Sequence, residues 1–193
     1  MPSNLSLKLT RQEAVQRALS QVGQGRYDLG AGGRNPSNKS PFGAPRSARN
    51  KDKGGRDWCD CSGFIAWCLG YDRVQNLGTK EELWYSCREI ISDSYHDNPK
   101  LFSQFKGIVN PGDIIVYGPK GKMKWGHIGI VTKVLPGFVR GSHDWWKFVE
   151  VTHCSTGNGG VAIRTSNAKL WFDSLKKKDS GSYFLTYNHF LFG

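Results

Sequence analysis

The sequence predicts an α+β domain, and three observations carry that prediction. Helical apolar spacing is confined to the first half of the chain. From Gly112 onward, β-branched and aromatic runs are separated by Gly, Asn, Ser and Pro. The chain also carries 24 Gly and seven Trp in 193 residues, a composition that favours turns and a loop-rich β component. Helices first and strands afterwards suit a helical layer packed on an antiparallel sheet, not an alternating parallel fold. With 38% hydrophobic residues, one core is affordable, and a single domain over residues 1–193 is expected.

The elements follow in order. Ala14, Val15, Ala18, Leu19 and Val22 recur at helical spacing, so residues 11–22 predict an amphipathic helix that Gly23 and Gly25 end. Residues 34–55 are rich in Pro, Ser, Asn and Lys and read as a long loop. The run "CSGFIAWCL" (61–69) reads as a buried helix with Asp60 at its N-cap, where a carboxylate accepts free backbone amides. A third helix is expected over residues 80–91. Residues 34–55 and 71–109 look like elaborations on a smaller frame. The segments "GDIIVY", "HIGIVTKV", "KFVEVTHC", "GVAIRT" and "YFLTYNHFLF" then give an antiparallel meander of about five or six strands.

Net charge is +11, which points to an anionic partner: nucleic acid, an acidic membrane surface or an anionic wall polymer. The basic clusters at 46–56, 120–124 and 176–178 do not alternate with aromatics as a single-strand nucleic-acid channel requires. No nucleic acid is therefore expected, and a non-enzymatic nucleic-acid binder is the alternative from another class. No apolar run reaches the roughly 18 residues of a membrane span. "MPSNLSLKLT" lacks a signal-peptide core. The expectation is synthesis in the cytoplasm and action elsewhere after non-classical delivery, by phage or secretion system. A monomer is expected. Five cysteines are an odd number for a disulfide framework, so mostly free thiols are expected. Cys59, Cys61, His153 and Cys154 raise the question of zinc, but no second ligand pair has the required spacing. Neither metal nor cofactor is expected.

Cys61 is the residue with chemical promise. A thiol in the first turn of a helix meets unpaired amides and the positive end of the dipole, and both favour thiolate. It needs an imidazole nearby to act as a nucleophile at neutral pH. His127 opens one strand and His153 ends the next. Antiparallel pairing through a hairpin over 134–147 brings the two to one end of the sheet. One can serve Cys61 as base while the other orients it. Cys68 reads as core, and Cys59 and Cys87 take no role.

In this order, "DCSGF" (60–64), "NPGDIIVY" (110–117), "GHIGIV" (126–131) and "VTHCS…GGVAI" (151–163) resemble the NlpC-type cell-wall cysteine peptidases. These are papain-like enzymes related to the CHAP amidases. The likeness spans roughly residues 11–165 and implies a papain-like fold. It implies that Cys61 is the nucleophile, His127 the general base and His153 the residue that orients His127. Tyr27, in "GRYDLGAGG", corresponds to a substrate-binding Tyr, although Arg26 and Leu29 depart from the family's "PYxWGG". Asp60 and Ser62 fall where members often hold the substrate's free amine. Apart from the resemblance, Trp125, beside the expected base, is either core or a groove residue that binds substrate.

The resemblance further implies cleavage of an amide bond in peptidoglycan stem peptides, of D-glutamyl–diamino acid type, through a thioester. An N-acetylmuramoyl-L-alanine amidase, or an intracellular amidase or acyltransferase, would use the same frame. The enzyme would be lytic or a secreted effector; one injected by a secretion machine would need a cognate immunity protein, for which the long loops could be the docking surface.

Overall fold

The computed structural model describes residues 7–76, 82–96, 99, 101–104, 107–118, 126–156, 161–175 and 182–191. Trp125 and the basic clusters at 120–124 and 176–178 lie outside them. The chain runs α1 (Arg11–Ser20), β1 (Arg26–Tyr27), β2 (Trp58–Cys59), α2 (Cys61–Leu69), β3 (Val74–Asn76), β4 (Glu82–Trp84), α3 (Cys87–Ser94) and β5 (Phe102–Gln104). It continues with β6 (Ile114–Tyr117), β7 (His127–Val134), β8 (Val149–Cys154), β9 (Ile163–Asn167), α4 (Lys169–Leu175) and β10 (Ser182–Tyr187). Short 3₁₀ turns occupy Lys51–Lys53 and Trp145–Phe148. This is the α+β, papain-like class that the sequence predicts.

Helix α1 begins where its residues say it must. Thr10 and Glu13 form a reciprocal capping box that satisfies orphan amides at the first turn. Ala14 and Ala18 are the buried face. The helix stops at Ser20, short of the expected residue 22, and Leu19 and Val22 are exposed. Every residue of α2 is buried, because the helix is apolar all round and sits between α1 and the sheet.

The third helix differs from the expectation. Residues 82–84 are a strand paired with β3, and α3 starts only at Cys87. Ser86 and Glu89 form a second capping box there, and "SCRE" is its signature. That motif outranks the apolar periodicity upstream.

Six strands form one antiparallel sheet in the order β5-β10-β6-β7-β8-β9. Strands β6 to β9 are the expected meander. The last strand, β10, departs from it by inserting between β5 and β6. Helices α1, α2 and α3 cover one face around Phe64, Ile65, Ile128 and Ile130. The other face packs Val131, Val151, Trp145 and Trp171 of α4. Asp113 is fully buried and ties layers together, accepting hydrogen bonds from Arg11 (2.6 Å), the Asn110 amide (2.8 Å) and Thr186 (2.8 Å). The long loop over 34–55 is pinned from beneath by buried Asp28, which accepts from the Ser47 amide (2.8 Å) and the Asn50 side chain (2.7 Å).

Candidate active site

Strand β7 delivers His127 and β8 delivers His153, and the antiparallel register places their rings in contact. His127 Nε2 and His153 Nδ1 lie 2.9 Å apart. On the far side, His153 Nε2 lies 3.1 Å from Ser166 Oγ on β9, whose hydroxyl donates to the Asn167 carbonyl. Burial, then the charges of His127 and Arg164, push His153 down to about 3, so the ring is neutral at physiological pH. One tautomer satisfies the chain: Nδ1 accepts from His127 Nε2–H, and Nε2–H donates to Ser166. With Nε2 committed, His127 has Nδ1 left to serve Cys61, whose thiol it helps to draw down.

Gly126, just before β7, lets this corner close. A Cβ there would lie 2.4 Å from the Tyr117 carbonyl and 2.7 Å from Cys87 Cβ. Trp171 of α4 stacks on His127 at 5.4 Å and meets the edge of His153 at 5.2 Å. It reaches them over Gly129, where a Cβ would sit 3.0 Å from the indole.

Cys61 occupies the first turn of α2. Its thiol is drawn down to about 5. The hydrogen bond from Cys87 contributes most, burial opposes it, and the hydrogen bond and charge of His127 add to the downward pull. The two sulfurs are 4.0 Å apart, and the Cys87 thiol is pushed up correspondingly as the donor. Cys61 is therefore thiolate at neutral pH.

Asp60 caps α2 by accepting the Gly63 amide at 2.7 Å. The expectation that Asp60 and Ser62 hold a substrate amine meets a different arrangement. Arg73, 1% exposed, donates to both Asp60 oxygens at 2.9 and 3.1 Å and to Ser62 Oγ at 2.6 Å. The Gly30 amide takes Oδ2 as well, at 2.7 Å. The protein's own guanidinium thus occupies the polar atoms of Asp60 and Ser62. It also neutralises a carboxylate that would otherwise repel a thiolate one residue away.

Tyr27 reaches the cleft because β1 pairs in parallel with β2, Tyr27 opposite Cys59. Burial, then the nearby charge of Cys61, push its phenol upward, so it remains a hydrogen-bond donor at neutral pH. Tyr27, Asp60, Cys61, Ser62, Arg73, Cys87 and His127 all line one cleft of about 630 Å³. His153 stands behind His127. His143 lies away from the pair, edge-on to Phe172, and His96 and His189 are on the surface.

Four residues at or behind the cleft take no role from the sequence: Arg73, Cys87, Ser166 and Trp171. The capping box at Ser86 was the available signal for Cys87. A carboxylate predicted to cap a wholly apolar helix was the signal that a countercharge such as Arg73 must follow.

No curated protein matches the sequence. Among solved structures, a hypothetical invasion protein of Mycobacterium tuberculosis is similar at 17% identity and a TM-score of 0.48. The match covers 92% of this chain and 61% of that one, so this chain spans less than two thirds of the relative's length. Residues 51–144 match the CHAP domain, the cysteine- and histidine-dependent amidohydrolase/peptidase related to the expected NlpC type; the matched stretch contains Cys61 and His127, while Tyr27 and His153 lie outside it.

Proposed function

We propose that the protein is a cysteine hydrolase that cleaves an amide bond in peptidoglycan stem peptides through a thioester. The observation that carries this is the continuous chain from Cys61 through His127 and His153 to Ser166, opening on a cleft. The CHAP match supports it, since such domains are generally peptidoglycan amidases or peptidases.

The Cys61 thiolate attacks the scissile carbonyl carbon, and the carbonyl oxygen gathers negative charge. The first backbone amides of α2 and the Tyr27 hydroxyl, which lines the same cleft, serve as donors to that charge. His127 passes a proton to the leaving nitrogen, the C–N bond breaks, and Cys61 is left as a thioester. His127 then takes a proton from water, the hydroxide attacks the thioester, and the acid product leaves with the thiolate restored. Neutral His153 fixes the ring of His127 through both steps.

The sequence resemblance favours a D-glutamyl–diamino acid endopeptidase. A second reading, an N-acetylmuramoyl-L-alanine amidase, is favoured by the Asp60–Arg73 pair, because a site whose carboxylate is already matched offers no seat for a free amine. Either substrate places the protein in the periplasm or wall. Digestion of purified peptidoglycan by wild type and Cys61→Ala, read by mass spectrometry, decides between them. New N-terminal diamino acid marks the endopeptidase, and free stem peptides with intact glycan mark the amidase. The absence of thiol-dependent fragments refutes both.

A further inference from the structure

Hydrolysis as described asks of Cys87 only a hydrogen bond to the Cys61 thiolate, which a hydroxyl could also give, yet its position is specified closely. The Ser86–Glu89 capping box starts α3 so that Cys87 is its first residue. Cys61 is the first residue of α2, so two helix mouths present their thiols to each other across 4.0 Å. Both line the cleft, with Cys61 5% and Cys87 7% exposed. Cys59, Cys68 and Cys154 are 0% exposed. Only one pair of thiols is thus within reach of a water-sized oxidant.

We infer that Cys87 is a resolving thiol: when a peroxide oxidises Cys61, Cys87 captures it as a Cys61–Cys87 disulfide that reversibly closes the hydrolase. The consequence for activity rests on the hydrolase reading; formation of the bond does not. In the first step the Cys61 thiolate attacks one oxygen of hydrogen peroxide. The O–O bond breaks, hydroxide leaves, and Cys61 becomes a sulfenic acid. In the second, the Cys87 sulfur attacks the oxidised sulfur. The S–S bond forms, the S–O bond breaks, and the departing hydroxide leaves as water with the Cys87 proton. Peroxide is reduced to water and the two sulfurs are oxidised. An external dithiol reverses the change by exchange.

The order of events follows from the two protonation states. Cys61 is the thiolate and meets the oxidant first, whereas Cys87 holds its proton until it is needed. A disulfide is about 2.05 Å long, so the sulfurs must approach by about 2 Å, within the compass of χ1 rotation at both residues. Capture before a second peroxide arrives keeps Cys61 from irreversible sulfinic acid.

The test treats the full chain with several equivalents of hydrogen peroxide, blocks remaining thiols with iodoacetamide and maps peptides by mass spectrometry without reduction. Peptidoglycan hydrolysis is followed before and after dithiothreitol, with Cys87→Ser in parallel. The expected result is a Cys61–Cys87 linked peptide, with hydrolysis lost and then restored by dithiothreitol. In Cys87→Ser, Cys61 should advance to sulfinic acid and hydrolysis should not return. Sulfinic Cys61 beside an alkylated Cys87 in the wild type overturns the proposal, as does a disulfide to any other cysteine. If untreated protein cleaves no peptidoglycan, the hydrolase reading falls alone and the linked peptide still decides this one. The wild-type map is also decisive should Cys87→Ser fail to fold.

Discussion

Helix α2 carries a cysteine at each end, and the two behave in opposite ways. Cys61 and Cys68 are both buried in one hydrophobic cluster. Burial alone should push both thiols up, because each would have to ionise away from water. Cys68 follows that rule and is pushed well above the ordinary thiol value, the charge of Arg17 failing to offset the loss of water. Cys61 is instead drawn down to about 5. The difference lies in what each end of the helix can receive. The mouth of α2 takes a thiol from α3 and an imidazole from β7, whereas the last turns face the apolar core. A thiolate here is a product of tertiary convergence; helix position alone does not make it.

The largest expected effect breaks the comparison outright. Cys61→Ala should lower peptidoglycan turnover by about a thousandfold or more, since the other thiol of the cleft, Cys87, is pushed up and keeps its proton. Cys68→Ala should leave the turnover number near wild type and lower only the melting temperature, by the roughly 1 kcal/mol or more that a small core deletion costs. Equal loss of turnover in both variants would mean that Cys61, like Cys68, is only a core residue.

A second variant removes the charge beneath the thiolate. Arg73→Met leaves Asp60 buried and unpaired at the helix mouth, and breaking a buried pair from one side costs about 3–5 kcal/mol. Chemical denaturation should show that loss. In the fraction that remains folded, Cys61 should react more slowly with alkylators at neutral pH, because the Asp60 charge now opposes its ionisation. A double variant, Arg73→Met with Asp60→Asn, should recover much of the stability.

The legibility of this region is uneven, and the reason is physical. Local signals place Cys61, because Asp60 and the apolar run behind it specify a capped helix whatever surrounds them. His127 and His153 are legible because antiparallel register fixes which strand ends meet. Arg73 and Cys87 act on Cys61 from separate elements within residues 71–109, where the strand pair β3–β4 replaces the expected helix. Their relevance depends on packing that no periodicity encodes. Trp171 illustrates the same limit: seven residues make a helix too short for a periodic signal, and its indole matters only because Gly129 on another element leaves room. The position of β10 between β5 and β6 is likewise a choice among sheet edges, which alternating residues do not dictate.

The third prediction sharpens the comparison by titration. The rate of iodoacetamide labelling at Cys61 should rise through pH about 5 and level off above it, as the thiolate fraction saturates. Below that value it should fall about tenfold per pH unit. His153 does not intrude on this range, since it stays neutral until about pH 3. Cys68 should resist labelling in the native protein at every pH tested. A labelling curve for Cys61 centred near the ordinary thiol value would show that its neighbours do not overcome burial.

The smallest effect asks how far the support of the thiolate extends. Ser166 touches neither Cys61 nor the cleft; it takes the outer nitrogen of His153. Ser166→Ala removes one hydrogen bond worth roughly 1 kcal/mol, and with it the preference for the tautomer that presents Nδ1 to His127. The turnover number should fall by about fivefold, equivalent to that energy. KM should stay unchanged, because no contact with substrate is lost. Ser166→Thr, which keeps the hydroxyl, should restore most of the rate. A rise in KM with constant turnover would place Ser166 in substrate binding instead. Unchanged kinetics would end the working chain at His153, leaving the thiolate to depend on Cys87 and the two histidines alone.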